Sequence, residues 1–319
     1  MACLEIQEEV HSANMESLRR YNFPKDLESP VLLFAFAGWS DAAESASHAA
    51  KFLIRQMRAE RFADIDAEEF YDFTQVRPKT RFDKSGDRYI KWPANEFYVH
   101  RTSNGQPDLV LFLGIEPNLK WKTFADLMKR VIIDSGVRQV VHLGALLDAV
   151  PHTREVRLTG SATSNRFQIG MPGTDIKPSR YAGPTGITGV LMDAIRREGI
   201  QAVSLWGHSP HYLQVSPNPK VSLALVSTVA KLLGFQIDCR PLESQGINFD
   251  ARVEQALSDE PDVLEYVEKL QEEWDQELEQ ASQFDDMDLG IPNAEQAVLG
   301  IEEFLGLAKR PSKGESGTD

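Results

Sequence analysis

Residues 30–57 read PVLLFAFAGWSDAAESASHAAKFLIRQM. Val31–Ala37 is an uninterrupted apolar run, the pattern of a strand buried on both faces. Gly38-Trp39-Ser40-Asp41 then turns the chain. Asp41 and Glu44 form a capping box that predicts a helix starting at once. Ala42, Ala46, Ala49, Leu53 and Met57 share one face of that helix, and their small members let it lie close to a sheet. A strand that passes straight into a helix through a polar, aromatic turn predicts a parallel α/β body with a crevice at the turn.

Working outward, residues 1–29 are a lead-in with one short amphipathic helix, Met15 to Tyr21. Beyond the opening unit, Glu69–Thr74 is rich in aromatics and predicts a strand. Arg81–Asp83 and Arg88–Trp92 flank Lys84-Ser-Gly-Asp87 as a hairpin, and Phe97–Arg101 adds a further strand. This antiparallel excursion ends near Asp108, where the βα rhythm returns.

Leu109–Leu113 is an apolar strand, followed by a helix from Asn118 to about Ser135. Phe124, Leu127, Met128, Val131 and Ile132 line one face of it, and Gly136 stops it. Gln139–Leu143 is the next strand. Residues 155–186 form a loop-rich insertion with short polar strands near Val156 and Phe167, a length more often functional than not. Thr185 is placed to cap a helix carrying Ile187, Val190, Leu191, Ala194 and Ile195, which Gly199 ends. Ala202–Trp206 is a strand, and Asn218-Pro219 opens a helix closed by Gly234. Past Pro241 the chain turns helical and acidic: Ala251–Leu257, Pro261–Ala281 and Asn293–Ala308. The expected division is an α/β domain over 1–240, a helical extension over 241–309 and a disordered tail over 310–319.

With 319 residues, 42% of them hydrophobic, the chain is long enough for a sizeable core. Two cysteines, Cys3 and Cys239, make no disulfide framework and no metal-type spacing. The acidic N-terminus lacks the pattern of a signal peptide, and no apolar segment approaches a membrane span, so a cytoplasmic protein away from membranes is expected. Charge is uneven. Residues 250–319 hold 20 acidic and 5 basic residues, leaving 28 and 29 in the rest of the chain. No basic stripe is present to hold nucleic acid. The acidic segment reads as solvated helix faces.

Four strands each run into an unusual loop: Gly38–Asp41, Gly114–Pro117, Gly144–Arg154 and Gly207–Tyr212. As parallel neighbours they would open at one carboxyl edge and gather Trp39, Asp41, Glu116, His152, Arg154, Tyr181, His208, His211 and Tyr212 into a shared crevice. Acids, bases and an anion-binding group in one place meet the minimum for proton-transfer or hydrolytic work. Each residue also has a plainer role; Asp41 is fully accounted for as a helix cap. Gly183, Thr185 and Gly186, at a helix N-terminus, offer backbone N–H groups to an anion. Nucleophile elbow, phosphate loop, dinucleotide fingerprint and zinc-helix motifs are absent, and neither a cofactor nor a metal is expected.

These same stretches carry a family likeness. Phe36-Ala-Gly-Trp39-x-Asp41-Ala, Phe70-Tyr-Asp-Phe73 with Arg77-Pro78, Trp92-Pro93, and Gly114-x-Glu116-Pro117 with Trp121 come first. Leu143-Gly144-Ala with Pro151-His152-Thr153-Arg154, Tyr181-x-Gly183-Pro184-Thr185-Gly186, and Trp206 with Pro210-His211-Tyr212 and Pro217-Asn218-Pro219 follow in order. The chain resembles the bacterial, actinobacterial branch of the proteasome assembly chaperone 2 family. The resemblance implies a three-layer α/β/α body of phosphorylase/hydrolase-like type with a mostly parallel sheet and an acidic helical extension. It also implies a homo-oligomer, with a trimer among the expected forms, and a protein partner, which for the eukaryotic relatives is the proteasome. A non-enzymatic assembly or interaction factor is the leading expectation. A hydrolase- or phosphorylase-like enzyme working in the crevice is the alternative.

Overall fold

The structure, a computed structural model, describes residues 17–103, 105–162, 175–176, 182–213 and 215–285. The chain up to Gln271 belongs to one compact unit, and Glu272 begins a second. The strands are Leu18–Arg20 (β1), Val31–Ala37 (β2), Glu60–Ile65 (β3), Lys79–Phe82 (β4), Arg88–Lys91 (β5), Asn95–His100 (β6), Leu109–Ile115 (β7), Gln139–Asp148 (β8), Leu158–Ala162 (β9), Asp175–Ile176 (β10) and Gln201–Pro210 (β11). The helices are Ser45–Gln56 (α1), Trp121–Asp134 (α2), Ile187–Arg197 (α3), Pro219–Leu233 (α4), Arg240–Leu257 (α5) and Pro261–Asp285 (α6).

Nine strands form one sheet in the order β1-β3-β6-β7-β2-β8-β11-β9-β10, parallel through its central four, β7-β2-β8-β11. The run quoted first lies in the middle, and its pleat sends alternate residues to opposite faces. Leu32, Phe34 and Phe36 join a core with Phe124, Met128 and Val131 of α2 and Ile187, Leu191 and Ile195 of α3. Val31, Leu33 and Ala35 join a second core with Ala46, Ala49 and Leu53 of α1 and Val221, Leu225 and Val229 of α4. This is the expected α/β/α layering. An all-apolar strand needs it, because each face would otherwise meet water.

Several local expectations are corrected. The Met15–Tyr21 segment is not helical where described: Leu18–Arg20 is a strand, recruited by antiparallel pairing with β3, Leu18 opposite Ile65. Glu69–Thr74 is a pair of turns rather than a strand, and Phe70 and Tyr71 are buried from them. The hairpin forms as β4 and β5, a two-stranded sheet apart from the main one. Strands β8 and β11 continue past Gly144 and Gly207, in register to Asp148 opposite Pro210, so the first part of each segment read as a loop is strand. Helix α5 starts at Arg240, eleven residues before the expected Ala251. Asn293–Ala308, the short strand near Phe167 and the tail lie outside the described residues.

The N-cap at Asn218 forms as expected, and two others shift. Ala42–Glu44 is a 3-10 turn, and α1 begins at Ser45. Asp41 Oδ1 still accepts from the N–H groups of Ala46 (2.8 Å) and Ser47 (3.0 Å), but Glu44 does not complete the box. At α3 the N-cap is Gly186, without a side-chain bond from Thr185.

Candidate functional site

The strand order turns back at β2, with β7 on one side and β8 on the other, which is where a ligand crevice is expected in this architecture. The segment after β2 returns to β8, where Ala145 N–H donates to Ser40 O (2.9 Å) and Asp41 pairs with Ala145 in a parallel bridge. Asp41 is thereby buried; its Oδ1 caps α1, its Oδ2 has no hydrogen-bond partner among the described residues, and burial raises its pKa.

On the β7 side of this seam, Glu116 is held between two elements. Its Oε2 accepts from Trp39 N–H (3.2 Å) and its Oε1 from Ile187 N–H (3.0 Å), the first residue of α3. A carboxylate of the chain thus sits at the helix N-terminus that the sequence offered to an external anion. The fit is tight: a Cβ on Gly186 would lie 2.6 Å from Glu116 Oε1, and one on Gly38 (φ 131°) would lie 3.0 Å from Glu116 Cβ. Below, buried Asn95 accepts from Ile115 N–H (3.1 Å) and Tyr71 OH (2.6 Å), fixing the end of β7 that carries Glu116. Trp39 is left 69% exposed. Gly183 and Thr185 precede α3 in chain order, and Tyr181 lies outside the described residues.

A second group forms at the ends of β8 and β11. His208 is buried, with Nδ1 2.6 Å from Asp148 Oδ2 and Nε2 2.8 Å from Thr159 Oγ1 on β9. Burial raises the Asp148 pKa, but the His208 and Ala149 hydrogen bonds outweigh it and hold the carboxyl below its ordinary value. Asp148 O also accepts from His211 N–H (3.0 Å). His152 N–H donates to Tyr212 OH (2.9 Å), whose oxygen lies 2.8 Å from His152 Nδ1. Lys220 of α4 donates to His152 O (2.7 Å) and pairs with Asp250 of α5 (3.0 Å). Burial, reinforced by Lys220, pushes the His152 pKa down. His211 and Tyr212 pack edge-on against Tyr266 of α6, with centroids 5.7 and 6.0 Å away.

An acid, a histidine and a hydroxyl in line are what nucleophilic catalysis requires. The cavity beside His208, lined by His152, Arg154, Arg157, Asn218 and Lys220, measures about 20 Å³, room for one water. Ligand pockets run to hundreds of Å³. Asp148, His208 and Thr159 form a hydrogen-bonded chain across β8, β11 and β9. A larger opening of about 360 Å³ lies at the opposite, amino edge near Leu109, Arg58 and Phe235, away from every sequence-predicted residue. Among the described residues no group of three or more His, Cys, Asp or Glu is placed to hold a metal.

Sequence reasoning thus named Glu116, His152, His208, His211 and Tyr212 but missed Asp148, Thr159, Lys220, Asp250 and Tyr266. Asp148 stood in plain view two residues before Val150, and only strand register joins it to His208.

The fold and these motifs meet in the comparison with known proteins. The PAC2 family model matches residues 35–257. The chain belongs to the PAC2 family. A PAC2 family protein from Streptomyces avermitilis is 40% identical, over 75% of this chain and 99% of that one, with a TM-score of 0.67. A proteasome-assembly chaperone homologue from Mycobacterium tuberculosis is 36% identical, over 74% and 99%, with a TM-score of 0.66. PbaB of Pyrococcus furiosus, an archaeal proteasome activator, shares the fold at 19% identity, over 76% and 99%, with a TM-score of 0.61. No curated protein matches the sequence. This PAC2 family member is a proteasome assembly chaperone 2-like protein. Among its described residues no helix is long and apolar enough to cross a membrane.

Proposed function

We propose that this PAC2 protein is a non-enzymatic assembly or interaction factor, acting in the cytoplasm as a homo-oligomer whose protein partner is the proteasome. The observation that carries the reading is the 36% identity, across nearly the whole of that chain, to the mycobacterial proteasome-assembly chaperone homologue. The site chemistry supports it. Glu116, Asp148 and His208 have their side-chain polar atoms engaged by neighbouring backbone and side chains, and the cavity beside His152 and His208 has room for one water. In this reading the candidate crevice residues shape the carboxyl edge and handle no substrate.

The test is reconstitution. Purified proteasome subunits from the same source are mixed with the full chain, and particle formation is followed by native gel and onset of peptidase activity. Faster assembly, with the chain co-migrating on an intermediate, is expected. Unchanged kinetics with no co-migrating species would refute the reading.

A further inference from the structure

No residue of the β4 or β5 strands joins a buried core. Their hairpin stands outside the nine-stranded sheet, and every residue of both strands is exposed. An isolated two-stranded hairpin is marginal in water. This one still displays large apolar side chains: Phe82 (68% exposed), Tyr89, Ile90 and, just past it, Trp92. It is also basic. Residues 79–91 hold Lys79, Arg81, Lys84, Arg88 and Lys91 against Asp83 and Asp87. By register the two kinds of side chain interleave: Phe82 and Ile90 share one face with Arg88, and Tyr89 lies opposite Arg81 on the other.

The complementary surface is on the same chain. Along α5 and the first turns of α6, Glu254, Asp259, Glu260, Asp262, Glu265 and Glu268 are all exposed, with no basic residue between Glu254 and Glu268. Ile247 (71% exposed) and Leu264 stand among them. Within one copy the two spring from separate parts of the sheet. The hairpin leaves the sheet between β3 and β6, whereas Phe249, Val253 and Leu257 of α5 pack on Leu213, just after β11. Four interstrand steps separate β6 from β11, roughly 19 Å.

We propose that the hairpin of one protomer docks on the acidic α5–α6 surface of a second copy, so that the contact repeats head to tail and closes a ring. Two different patches meeting in this way form a heterologous interface, which closes into a ring when the rotation allows. The proposal rests on the homo-oligomer reading above and names the surface that makes it.

Sedimentation velocity on the full chain tests both. One variant reverses the arm (Lys79→Glu, Arg81→Glu, Arg88→Glu, Lys91→Glu), a second reverses the helices (Glu254→Lys, Asp262→Lys, Glu265→Lys), and a third carries both sets. All the sites are exposed, and circular dichroism checks that the fold persists. The parent is expected to sediment as a ring, each single-surface variant as monomer, and the combined variant as the ring again. If both single-surface variants keep the parent's mass, the arm contact is refuted and the homo-oligomer stands. If the parent itself is monomeric, the homo-oligomer reading fails and the ring with it.

Discussion

His142 sits at the centre of β8, with Phe34 as its register partner on β2 and Ser204 on β11. It is fully buried, its Nδ1 2.9 Å from Ser204 Oγ, its ring between those of Phe34 and Trp206 at 4.9 and 5.2 Å. Burial pushes its pKa down from 6.5 to about 3. A depressed histidine pKa means that, between these values, the unfolded chain binds a proton that the folded chain excludes. Stability therefore rises with pH across that window and falls as pH drops through 6.5. The slope for one such group is about 1.4 kcal/mol per pH unit, and integrating from about pH 7 to about pH 5 gives a loss of roughly 2 kcal/mol. His48 and His152 are shifted the same way and add to the trend, so the comparison must isolate one residue. His142→Gln keeps a polar group opposite Ser204 and removes the titration. Urea unfolding at fixed ionic strength, at about pH 7, 6 and 5, should show the parent losing roughly 2 kcal/mol more than the variant over that range. Parallel stability curves would mean that His142 is protonated in the folded state, and the burial argument would be wrong.

Three other outcomes follow from the same geometry. Glu116→Ala removes the acceptor for Trp39 and Ile187 N–H, costing about 1–3 kcal/mol in urea unfolding. It also frees the α3 N-terminus, so phosphate should raise the melting temperature of the variant and not of the parent; equal shifts would count against the internal-anion account. Asn218→Ala strips the cap that accepts from Lys220 and Val221 N–H, lowering stability by about 1–2 kcal/mol, and an unchanged urea midpoint would contradict it. The hairpin reversal described above is the third, read as oligomer mass.

What could be read from the chain was whatever a period reports. Val31–Ala37 and the Phe124, Leu127, Met128, Val131, Ile132 stripe identify their elements because burial on two faces, or on one helical stripe, leaves a repeating apolar mark. Strand β3 carries no such mark: it begins with exposed Glu60 and Arg61, and β1 is a strand only because β3 is there to pair with it. Glycine misled at Gly144 and Gly207, which look like strand ends. A Cβ at Gly144 would lie 2.7 Å from the His142 ring and 2.8 Å from Trp206, and one at Gly207 would lie 2.4 Å from Val221. Both are mid-strand because side chains from elsewhere need the room.

The candidate site divides along the same line. Strand-to-loop order alone named Trp39, Asp41, Glu116, His152, His208 and His211 as candidates for a carboxyl edge. It did not say which atoms they satisfy. Glu116 meets Ile187 across 71 positions, and Asp148 meets His208 across 60, distances set by sheet order and register. The amino-acid pattern by itself determined the layers, the two-faced central strand and the family, because local periodicity and ordered short motifs are properties of the chain. Tertiary structure alone decided that Asp41 pairs with Ala145, that Glu116 accepts from the first N–H of α3 and that the hairpin stands free of the sheet. Those outcomes depend on what lies beside each residue in space, and a linear pattern does not carry that information.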